Sequence, residues 1–265
     1  MIRPPDQGSS IIIRMQKISI ITIVWNNKTF IEESLQSQLS QTYPHVERIV
    51  VDGGSTDGTL EIIKRFSSRI DRIITGPDRG IYDALNKGIQ AATGDIIGLL
   101  HSDDLFSDQD TLYKVHEELD DDGLDACYGD LLYVDRYDTS KIVRYWHSGT
   151  YHPRRFHWGW MPPHPTFFAK RSVYEKYGLF NLDMGSAADY ELLLRYFVKY
   201  RIRTAYIPEV LVKMRIGGTS NASLTNRILA NRNDRKAWEI NGLRPYPWTL
   251  LLKPVRKIPQ YFLRP

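Results

Sequence analysis

The feature that most constrains the fold is an alternation of buried strand patterns with helical patterns over residues 18–100. Four short runs are rich in β-branched, apolar residues, which is typical of strands covered on both faces. They are Ile18–Val24, Val46–Val51, Ile70–Ile74 and Asp95–Leu100. The segments between them favour helices: Thr29–Leu39, a stretch that begins near Ser55 and ends at Phe66, and Tyr82–Ala92. This alternation predicts an α/β fold with a Rossmann-like, mostly parallel sheet flanked by helices.

Polar residues follow three of these strands at the point where each strand ends. Trp25–Asn27 follow the first strand, Asp52 follows the second, and His101–Asp104 follow the fourth. In an open parallel sheet, ligands bind in the crevice outside the carboxyl ends of the strands. The sequence therefore predicts a ligand site at this edge of the sheet.

The second half of the chain is less regular, and residues 151–165 are dense in aromatic residues, His and Pro. Its patterns favour a hairpin or meander of two strands, then a helix, two more strands and a basic helix. In order, these are Ala126–Val134, Ile142–Trp146, Ala187–Tyr200, Thr204–Ile207, Leu211–Ile216 and Asn221–Ile240. A flexible loop is expected at Gly217-Gly218.

Composition narrows the class of protein. With 265 residues, 42% hydrophobic and 25% charged, the chain is neither wholly disordered nor a coiled-coil rod. A single cysteine, Cys127, excludes an internal disulfide framework and a multi-cysteine metal site, and it is compatible with a reducing compartment. No apolar run approaches the roughly 20 residues that span a membrane. Residues 1–16 are expected to be a loose leader, with Met15 as a candidate natural start.

The net charge of +4 is distributed unevenly along the chain. From Asn226 onward there are nine basic and two acidic residues, so this part carries +7 and the rest −3. A basic tail attracts phosphates of nucleic acid, anionic lipid or a charged substrate, and it also suits a simple solvated surface. Residues 245–265 mix Trp, Leu and Phe with Lys and Arg, so we expect a peripheral, salt-sensitive contact with a membrane through this tail.

The adjacent carboxylates Asp103 and Asp104 have two interpretations. Two acidic groups crowded at a strand end repel each other, and a hard cation such as Mg²⁺ or Mn²⁺ would relieve that repulsion. Alternatively, either residue caps the helix that begins near Gln109. The spacing alone favours neither.

Five other positions are candidates, each with a simpler structural alternative. Asp52 is a hydrogen-bond acceptor for a base or ribose, or belongs to a tight glycine-rich turn. His164 and Trp160 suit a sugar platform, or a packed aromatic loop. Asp189 is a general base, or caps a helix. Arg215 contacts phosphate from a mobile loop, or is an ordinary surface arginine.

Taken in order along the chain, five motifs together resemble a family-2 glycosyltransferase of the GT-A fold. They are ISIITIVWNN, VVDGGSTDGT, GPDRGIYDALNKGIQAATGDIIGLLHSDD, HPTFFAKRSVYEKYGLF and SAADYELLLR. The third motif is similar to those of bacterial transferases that build surface polysaccharides such as colanic acid, O-antigen or capsule. The resemblance implies a domain over residues 17–220, with a nucleotide-sugar half at 17–104 and an acceptor half at 105–220. Residues 221–265 would form a basic helix and tail.

The resemblance also implies roles for single residues. Asp103 matches the final Asp of the metal-binding DxD motif, Asp104 follows it as in many members, and Asp189 matches the catalytic base. His101 replaces the usual first Asp of DxD and is a candidate metal ligand. Gly53 stands where some relatives have an Asp that contacts the base, and Ala188 replaces a common Glu. Residues implied for the donor or its metal are Asn26, Asp52, Asp78, Arg79, Asp83, Ser102, Asp103 and Asp104; expected substrate contacts are His164, Trp160 and Arg215.

The implied activity is a metal-dependent, inverting transfer that uses Mn²⁺ or Mg²⁺. A sugar moves from a UDP- or GDP-sugar to a hydroxyl of a glycan or lipid-linked acceptor. We expect the protein in the cytoplasm, including the inner face of the plasma membrane. We expect no nucleic-acid partner. This interpretation requires folding to bring Asp103 and Asp104 to one side of a single cleft and Asp189 to the opposite side.

Two other functions remain open from the sequence. A nucleotidyltransferase also joins a parallel sheet to a carboxylate–metal site, but it would normally carry a glycine-rich, basic triphosphate loop where this chain has Trp25–Lys28. A non-catalytic module that binds carbohydrate or membrane would not need both Asp103 and Asp189.

Overall fold

The structure is a computed structural model that describes residues 15–217 and 224–265, with side chains of the helix starting at residue 224 described from residue 232. Most of the predicted leader, the Gly218 end of the predicted loop and the first residues of the predicted basic helix lie outside this range. The strands are β1 (Ile18–Val24), β2 (Val46–Asp52), β3 (Arg72–Thr75), β4 (Ile96–Leu99), β5 (Leu105–Phe106), β6 (Ala126–Val134), β7 (Ile142–Trp146), β8 (Phe168–Lys170) and β9 (Thr204–Arg215). The helices are α1 (Ile31–Leu39), α2 (Thr59–Arg65), α3 (Ile81–Ala91), α4 (Thr111–Leu119), α5 (Arg171–Tyr177), α6 (Ala188–Leu194), α7 (Leu224–Ile240) and α8 (Thr249–Val255).

These strands form one sheet in the order β3-β2-β1-β4-β8-β6-β9-β5, with β7 paired to β6. Strands β3, β2, β1 and β4 are all parallel, whereas β8 runs antiparallel to both β4 and β6. The predicted Rossmann-like α/β fold is therefore confirmed. The antiparallel pairs belong to the second half, where β6 and β7 form the predicted hairpin.

Several predicted elements differ from the observed ones for local reasons. The two strands predicted around residues 204–216 are one strand, β9, whose pairing with β6 shifts register between Tyr128 and Leu131. This irregularity accommodates Pro208, which has no N–H to donate to the ladder. The helix predicted over 187–200 ends at Leu194 and continues as a π-helical turn over Arg195–Lys199. Strand β8, only three residues long, was not predicted because it is too short to show a periodic pattern.

The parallel half has a continuous core because β1 is buried along its whole length. Helix α3 packs directly on this strand at Gly88, where a Cβ would lie 2.3 Å from Cγ2 of Ile21. A larger residue at Gly88 would push the helix off the sheet. Two polar side chains of β1 are satisfied inside the core, Thr22 by a 2.8 Å hydrogen bond from Gln38 and Ser19 by Glu47.

Glu47 is a buried carboxylate that joins three segments. It is 2% exposed and accepts hydrogen bonds from the Ser19 hydroxyl (2.5 Å), from the Thr93 backbone N–H (2.8 Å) and from the Thr93 hydroxyl (2.7 Å). The ammonium of Lys17 lies 3.4 Å away. Burial alone would raise the pKa of Glu47, but these hydrogen bonds and the Lys17 charge lower it to about 2.

Residues 245–265, the C-terminal arm, fold back onto the loop that contains the helical turn Phe156–Trp158. The hydroxyl of Thr249 donates a 2.6 Å hydrogen bond to the carbonyl oxygen of His157. At Gly159, where φ is +74°, a Cβ would lie only 2.6 Å from the backbone nitrogen of Lys253. Only glycine allows both this φ and this close approach. Within the described residues, no helix combines the length and apolar character that crossing a bilayer requires.

We expect Glu47→Gln to lower the free energy of unfolding at pH 7 by about 1–3 kcal/mol, because the ionised carboxylate and its hydrogen bonds are lost. The pKa of Glu47 is about 2 in the folded state and ordinarily 4.5, so its contribution is complete above pH 4.5 and declines as the pH falls toward 2. Urea unfolding at pH 7 and pH 3 would therefore show a smaller difference at pH 3.

The matched control is Glu117→Gln, at an exposed position, which should change stability by less than about 0.5 kcal/mol. A Glu47→Gln effect that does not depend on pH would contradict this assignment.

Candidate active site

The loops that follow β1 and β2 are shaped by Asn26 and Asp52. Asp52, 1% exposed, accepts hydrogen bonds from the backbone N–H groups of Gly54 (3.2 Å) and Ser55 (3.1 Å). Asn26 has a φ of 48° and joins the two loops through a 2.8 Å hydrogen bond from the backbone of Thr56. Both residues were expected to bind the donor, but here their side-chain oxygens are engaged within the protein.

The carboxylate of Asp78 occupies the space that a side chain at residue 53 would fill. A Cβ at residue 53 would lie 2.5 Å from Oδ2 of Asp78 and 3.5 Å from Cδ1 of Trp25. The Trp25 side chain is 69% exposed, so its ring is open to a ligand. Arg79 and Asp83 form a surface ion pair beside this loop, with Nη2 and Oδ1 3.4 Å apart. Asp78, Arg79 and Asp83 therefore lie on one segment, between β3 and the first turn of α3.

The acidic pair lies where β4 ends. Asp103 is half-buried, and Asp104 is 1% exposed with no hydrogen-bond partner for either carboxylate oxygen. Burial raises the pKa of Asp103, although the charges of Arg136 and Arg215 partly offset it. Burial and the neighbouring Asp103 raise the pKa of Asp104 well above its ordinary value. Ser102 is buried and accepts a 2.8 Å hydrogen bond from the side-chain amide of Asn27.

The unpartnered oxygens of Asp104 give one test of whether a cation fits here. Buried carboxylate oxygens without partners are unfavourable, and a divalent cation would satisfy them. In this respect the pair fits a metal. Over the residues that the structure describes, however, no group of three His, Cys, Asp or Glu side chains is arranged as a ligand set.

Arg215 is neither a surface residue nor part of a mobile loop, so neither setting expected from the sequence is the observed one; its contact with a phosphate stays a prediction. It is the last residue of β9 and is 2% exposed. Its guanidinium pairs with Glu33, donates a 2.9 Å hydrogen bond to the carbonyl oxygen of Arg136 and lies 4.7 Å from the ring centroid of Phe30. Its charge acts on Asp103 and Asp104 from within the protein and favours their ionised forms.

A chain of two imidazoles connects this strand end to Asp189. The Nε2 atoms of His101 and His164 are 3.1 Å apart, and Nδ1 of His164 lies 3.5 Å from Oδ2 of Asp189. Burial and the adjacent His164 lower the pKa of His101 to about 3, and burial lowers that of His164. The structure thus connects His101, two residues before Asp103, to Asp189 through His164. That Asp103 and Asp104 face Asp189 across one cleft stays a prediction. His101 turns to His164, so the expectation that it ligates a metal is not supported.

Asp189 lies at the start of α6 among groups that sequence reasoning missed. Its Oδ1 accepts a 2.7 Å hydrogen bond from the backbone N–H of Tyr190. The hydroxyl of Tyr82 lies beside its carboxylate, and burial together with this charge raises the pKa of Tyr82. The negative charges of Asp104 and Asp189 both act on the hydroxyl of Tyr133. The charge of Asp189 also acts on the ammonium of Lys257, in the C-terminal arm. No sequence signal pointed to these three residues.

Trp160 does not contribute a sugar-binding face. It is 4% exposed, and its indole N–H donates a 2.8 Å hydrogen bond to the carbonyl oxygen of Ser148. The rings of Tyr151, Phe156 and Phe197 pack around it with centroids 5.4–6.1 Å away. The alternative of a packed aromatic loop is the correct one for Trp160.

Residues 19–178 match the family model described as glycosyl transferase family 2. An uncharacterised glycosyltransferase of Mycobacterium tuberculosis is 34% identical over 181 residues, which are 67% of this chain and 68% of that protein. The chain belongs to glycosyltransferase family 2. A PGL/p-HBAD biosynthesis glycosyltransferase of Mycobacterium bovis is 29% identical to this family member over 216 residues, 80% of this chain and 82% of the relative.

Solved glycosyltransferase structures share the fold of this family-2 member. The mannosyltransferase PcManGT of Pyrobaculum calidifontis, in complex with GDP-Man and Mn²⁺, aligns with a TM-score of 0.62 at 22% identity, over 89% of this chain and 68% of that chain. Residues 1–349 of S. aureus TarS, in complex with UDP-GlcNAc, align with a TM-score of 0.63 at 17% identity, over 85% and 70%. The predicted GT-A fold is therefore confirmed.

We expect Arg215→Met to lower the free energy of unfolding by about 2–4 kcal/mol, because it removes the buried cation behind the acidic pair and leaves Glu33 unpaired. Glu33→Gln is the companion variant. The Glu33 side chain is 57% exposed, so its loss should lower stability by less than about 1 kcal/mol. Urea unfolding of both variants measures the difference, and equal effects would show that Arg215 acts only through Glu33.

Proposed function

We propose that the chain transfers a sugar, with inversion, from a UDP- or GDP-sugar to a hydroxyl of a glycan or lipid-linked acceptor of a cell-surface polysaccharide. The observation that carries the proposal is the His101–His164–Asp189 chain, which joins the acidic segment to a carboxylate suited to act as a base. Related proteins support the class of pathway. Besides the PGL/p-HBAD enzyme, a putative teichuronic acid biosynthesis glycosyltransferase of Bacillus subtilis is 37% identical over 90 residues.

The proposed donor site lies between Trp25, the residue-53 loop and Asp78. The open Trp25 ring suits stacking on a nucleobase, because an aromatic face packs well on a flat ring. The carboxylate of Asp78 lies where a side chain of residue 53 would be. We assign to Asp78 the hydrogen bond to the nucleobase that a glycine at residue 53 cannot make. Asn26, Asp52 and Ser102 act indirectly in this proposal, by fixing the loops around the donor. The exposed guanidinium of Arg79, paired with Asp83 in this structure, is proposed to contact the diphosphate.

Asp103 and Asp104 are the residues proposed to hold Mn²⁺ or Mg²⁺. The unpartnered oxygens of Asp104 and the half-buried position of Asp103 support this assignment. When bound, such an ion would offset the negative charge that develops on the leaving nucleoside diphosphate. The Mn²⁺ and GDP-Man in the complex of PcManGT agree with a donor diphosphate and a metal in this fold.

In the proposed reaction, Asp189 accepts the proton of the acceptor hydroxyl while the hydroxyl oxygen bonds to the anomeric carbon of the donor. The bond from that carbon to the diphosphate breaks, and the nucleoside diphosphate leaves with the electron pair. A single displacement inverts the anomeric centre and needs no enzyme nucleophile. General base assistance of this kind contributes roughly 10²–10⁴-fold.

His164 is proposed to position Asp189 for this step. An ionised carboxylate only accepts hydrogen bonds, so Nδ1 of His164 would carry the proton and Nε2 would accept from Nε2–H of His101. Both imidazoles are neutral near pH 7, because burial lowers their pKa values. Catalytic hydrogen bonds are often long without substrate, which suits the 3.5 Å separation between His164 and Asp189.

The proposed acceptor and location follow from the same arrangement. Lys253 of the C-terminal arm lies over the ring of Tyr190, the residue after Asp189, and the charges of Lys257 and Asp189 interact. These contacts support an acceptor that enters beside the arm. The proposed setting is the cytoplasm, with peripheral contact at the inner face of the plasma membrane through this arm.

Asp189→Asn should lower the rate of sugar transfer by about 10²–10⁴-fold and leave the KM for the donor nearly unchanged, because the amide cannot accept the hydroxyl proton. The assay follows release of the nucleoside diphosphate with a panel of UDP- and GDP-sugars. Asp183→Asn, at an exposed position six residues earlier, is the matched control and should keep full activity. Transfer by Asp189→Asn at the rate of the parent protein would refute the proposed base.

Removal of divalent ions with EDTA should abolish transfer, and Mn²⁺ or Mg²⁺ should restore it, because the leaving diphosphate would otherwise keep its uncompensated charge. Asp103→Asn should require at least about 10-fold more Mn²⁺ for half-maximal activity, because a metal-bound carboxylate is lost. Full activity in EDTA would refute the metal while leaving the transferase assignment intact.

A further inference from the structure

The C-terminal arm presents an apolar surface that no other described residue covers. Of the fifteen large hydrophobic side chains that are exposed in the described part of the chain, eight lie between Tyr246 and Leu263. Four of these form what we call the apolar stripe: Leu251 (69% exposed), Val255 (51%), Ile258 (56%) and Phe262 (81%). An exposed apolar patch of this density marks an interaction surface.

The stripe follows one face of a helical segment. Its members are spaced four, three and four residues apart, which places them on the same side of a helix. Helical-turn hydrogen bonds continue beyond α8, from the Ile258 N–H to the Val255 carbonyl oxygen (3.1 Å) and from the Phe262 N–H to the Pro259 carbonyl oxygen (3.0 Å). The stripe is therefore a defined face and not a set of unrelated side chains.

The opposite side of the arm is fixed to the body of the protein. The ammonium of Lys253 lies 2.7 Å from a carboxylate oxygen of Asp234 and 3.7 Å from the ring centroid of Tyr190. Thr249, fully buried, holds the start of α8 to the loop at His157. Because Tyr190 adjoins Asp189, the orientation of the stripe is set relative to the candidate base.

Charge indicates which partner the stripe fits. Residues 241–265 contain five basic residues and no acidic one, and Arg256 and Lys257 are interleaved with the stripe. A helix with an exposed apolar face and flanking basic residues binds at the interface of a bilayer that contains anionic lipids. Two copies of this arm, each with four basic residues, would bring eight like charges together if they packed face to face, which opposes a dimer through the stripe.

We propose that the apolar stripe and its neighbouring basic residues dock the protein on an anionic bilayer surface, with Asp189 close to the arm that contacts the lipid. The docking itself is independent of the proposed reaction; only its purpose, access to a lipid-linked acceptor, rests on the proposed function. The stripe inserts at the interface, and Arg256 and Arg264 contact lipid phosphates.

The test is co-sedimentation of the full chain with vesicles of phosphatidylcholine alone or with about one third phosphatidylglycerol. We expect binding to the anionic vesicles at low salt, and loss of most of it at about 0.5 M NaCl. Leu251→Ser combined with Ile258→Ser should lower the bound fraction at least about 10-fold, since two exposed apolar side chains are lost. The matched control Ile240→Ser, which is 44% exposed and outside the arm, should bind as the parent protein does.

Donor hydrolysis without acceptor separates this proposal from the proposed function. The double variant should hydrolyse a nucleotide sugar at the parent rate while failing to bind vesicles. Equal vesicle binding by the parent and the double variant, or no binding by the parent, would overturn the docking proposal. A parent protein that is dimeric by light scattering and becomes monomeric in the double variant would also overturn it, by assigning the stripe to a second copy of the chain.

Discussion

The parallel pairing of β1 with β2 and β4 is the constraint on which the candidate site depends. Strand β1 has no exposed residue and is paired in parallel on both sides, so all three strands end at the same edge of the sheet, β2 opposite Val24 and β4 opposite Ile21. Three polar loops consequently meet at one edge of the sheet. Glu47 secures the opposite end of these strands by joining β1 and β2 to the turn before β4. The position of the site is thus decided by backbone pairing, and its chemistry by the residues that follow each strand.

Much of this arrangement could be predicted from the sequence, because β-branched runs and polar strand ends are local signals. The bounds of β1 and β6 and the position of the polar loops at the carboxyl ends of the parallel strands are examples. The failures concern long-range contacts. Arg215 is buried among partners far away in sequence, namely Glu33, the ring of Phe30 and the carbonyl oxygen of Arg136. Trp160 packs on Phe197 from a distant segment as well as on rings of its own loop. No pattern within a single segment carries that information.

His101 and Gly53, which depart from the usual family motifs, can both be explained by the negative charges around them. A third carboxylate at residue 101 would add repulsion to Asp103 and Asp104, whose pKa values are already raised by burial. The neutral imidazole of His101 avoids that repulsion and still contacts His164. At Gly53 we propose the opposite exchange, because the carboxylate of Asp78, from the neighbouring loop, lies where a side chain of residue 53 would be. Each departure is compensated by a residue that is remote in sequence.

The close approach at Gly159 limits how this chain can vary. The backbone of the arm passes so near this residue that any side chain there would displace Lys253, and with it the packing on Tyr190. The arm is therefore not an interchangeable module. A chimera that carries another family member's tail would need a tail of matching shape above this glycine, and a single methyl group at residue 159 would suffice to unseat even the native one.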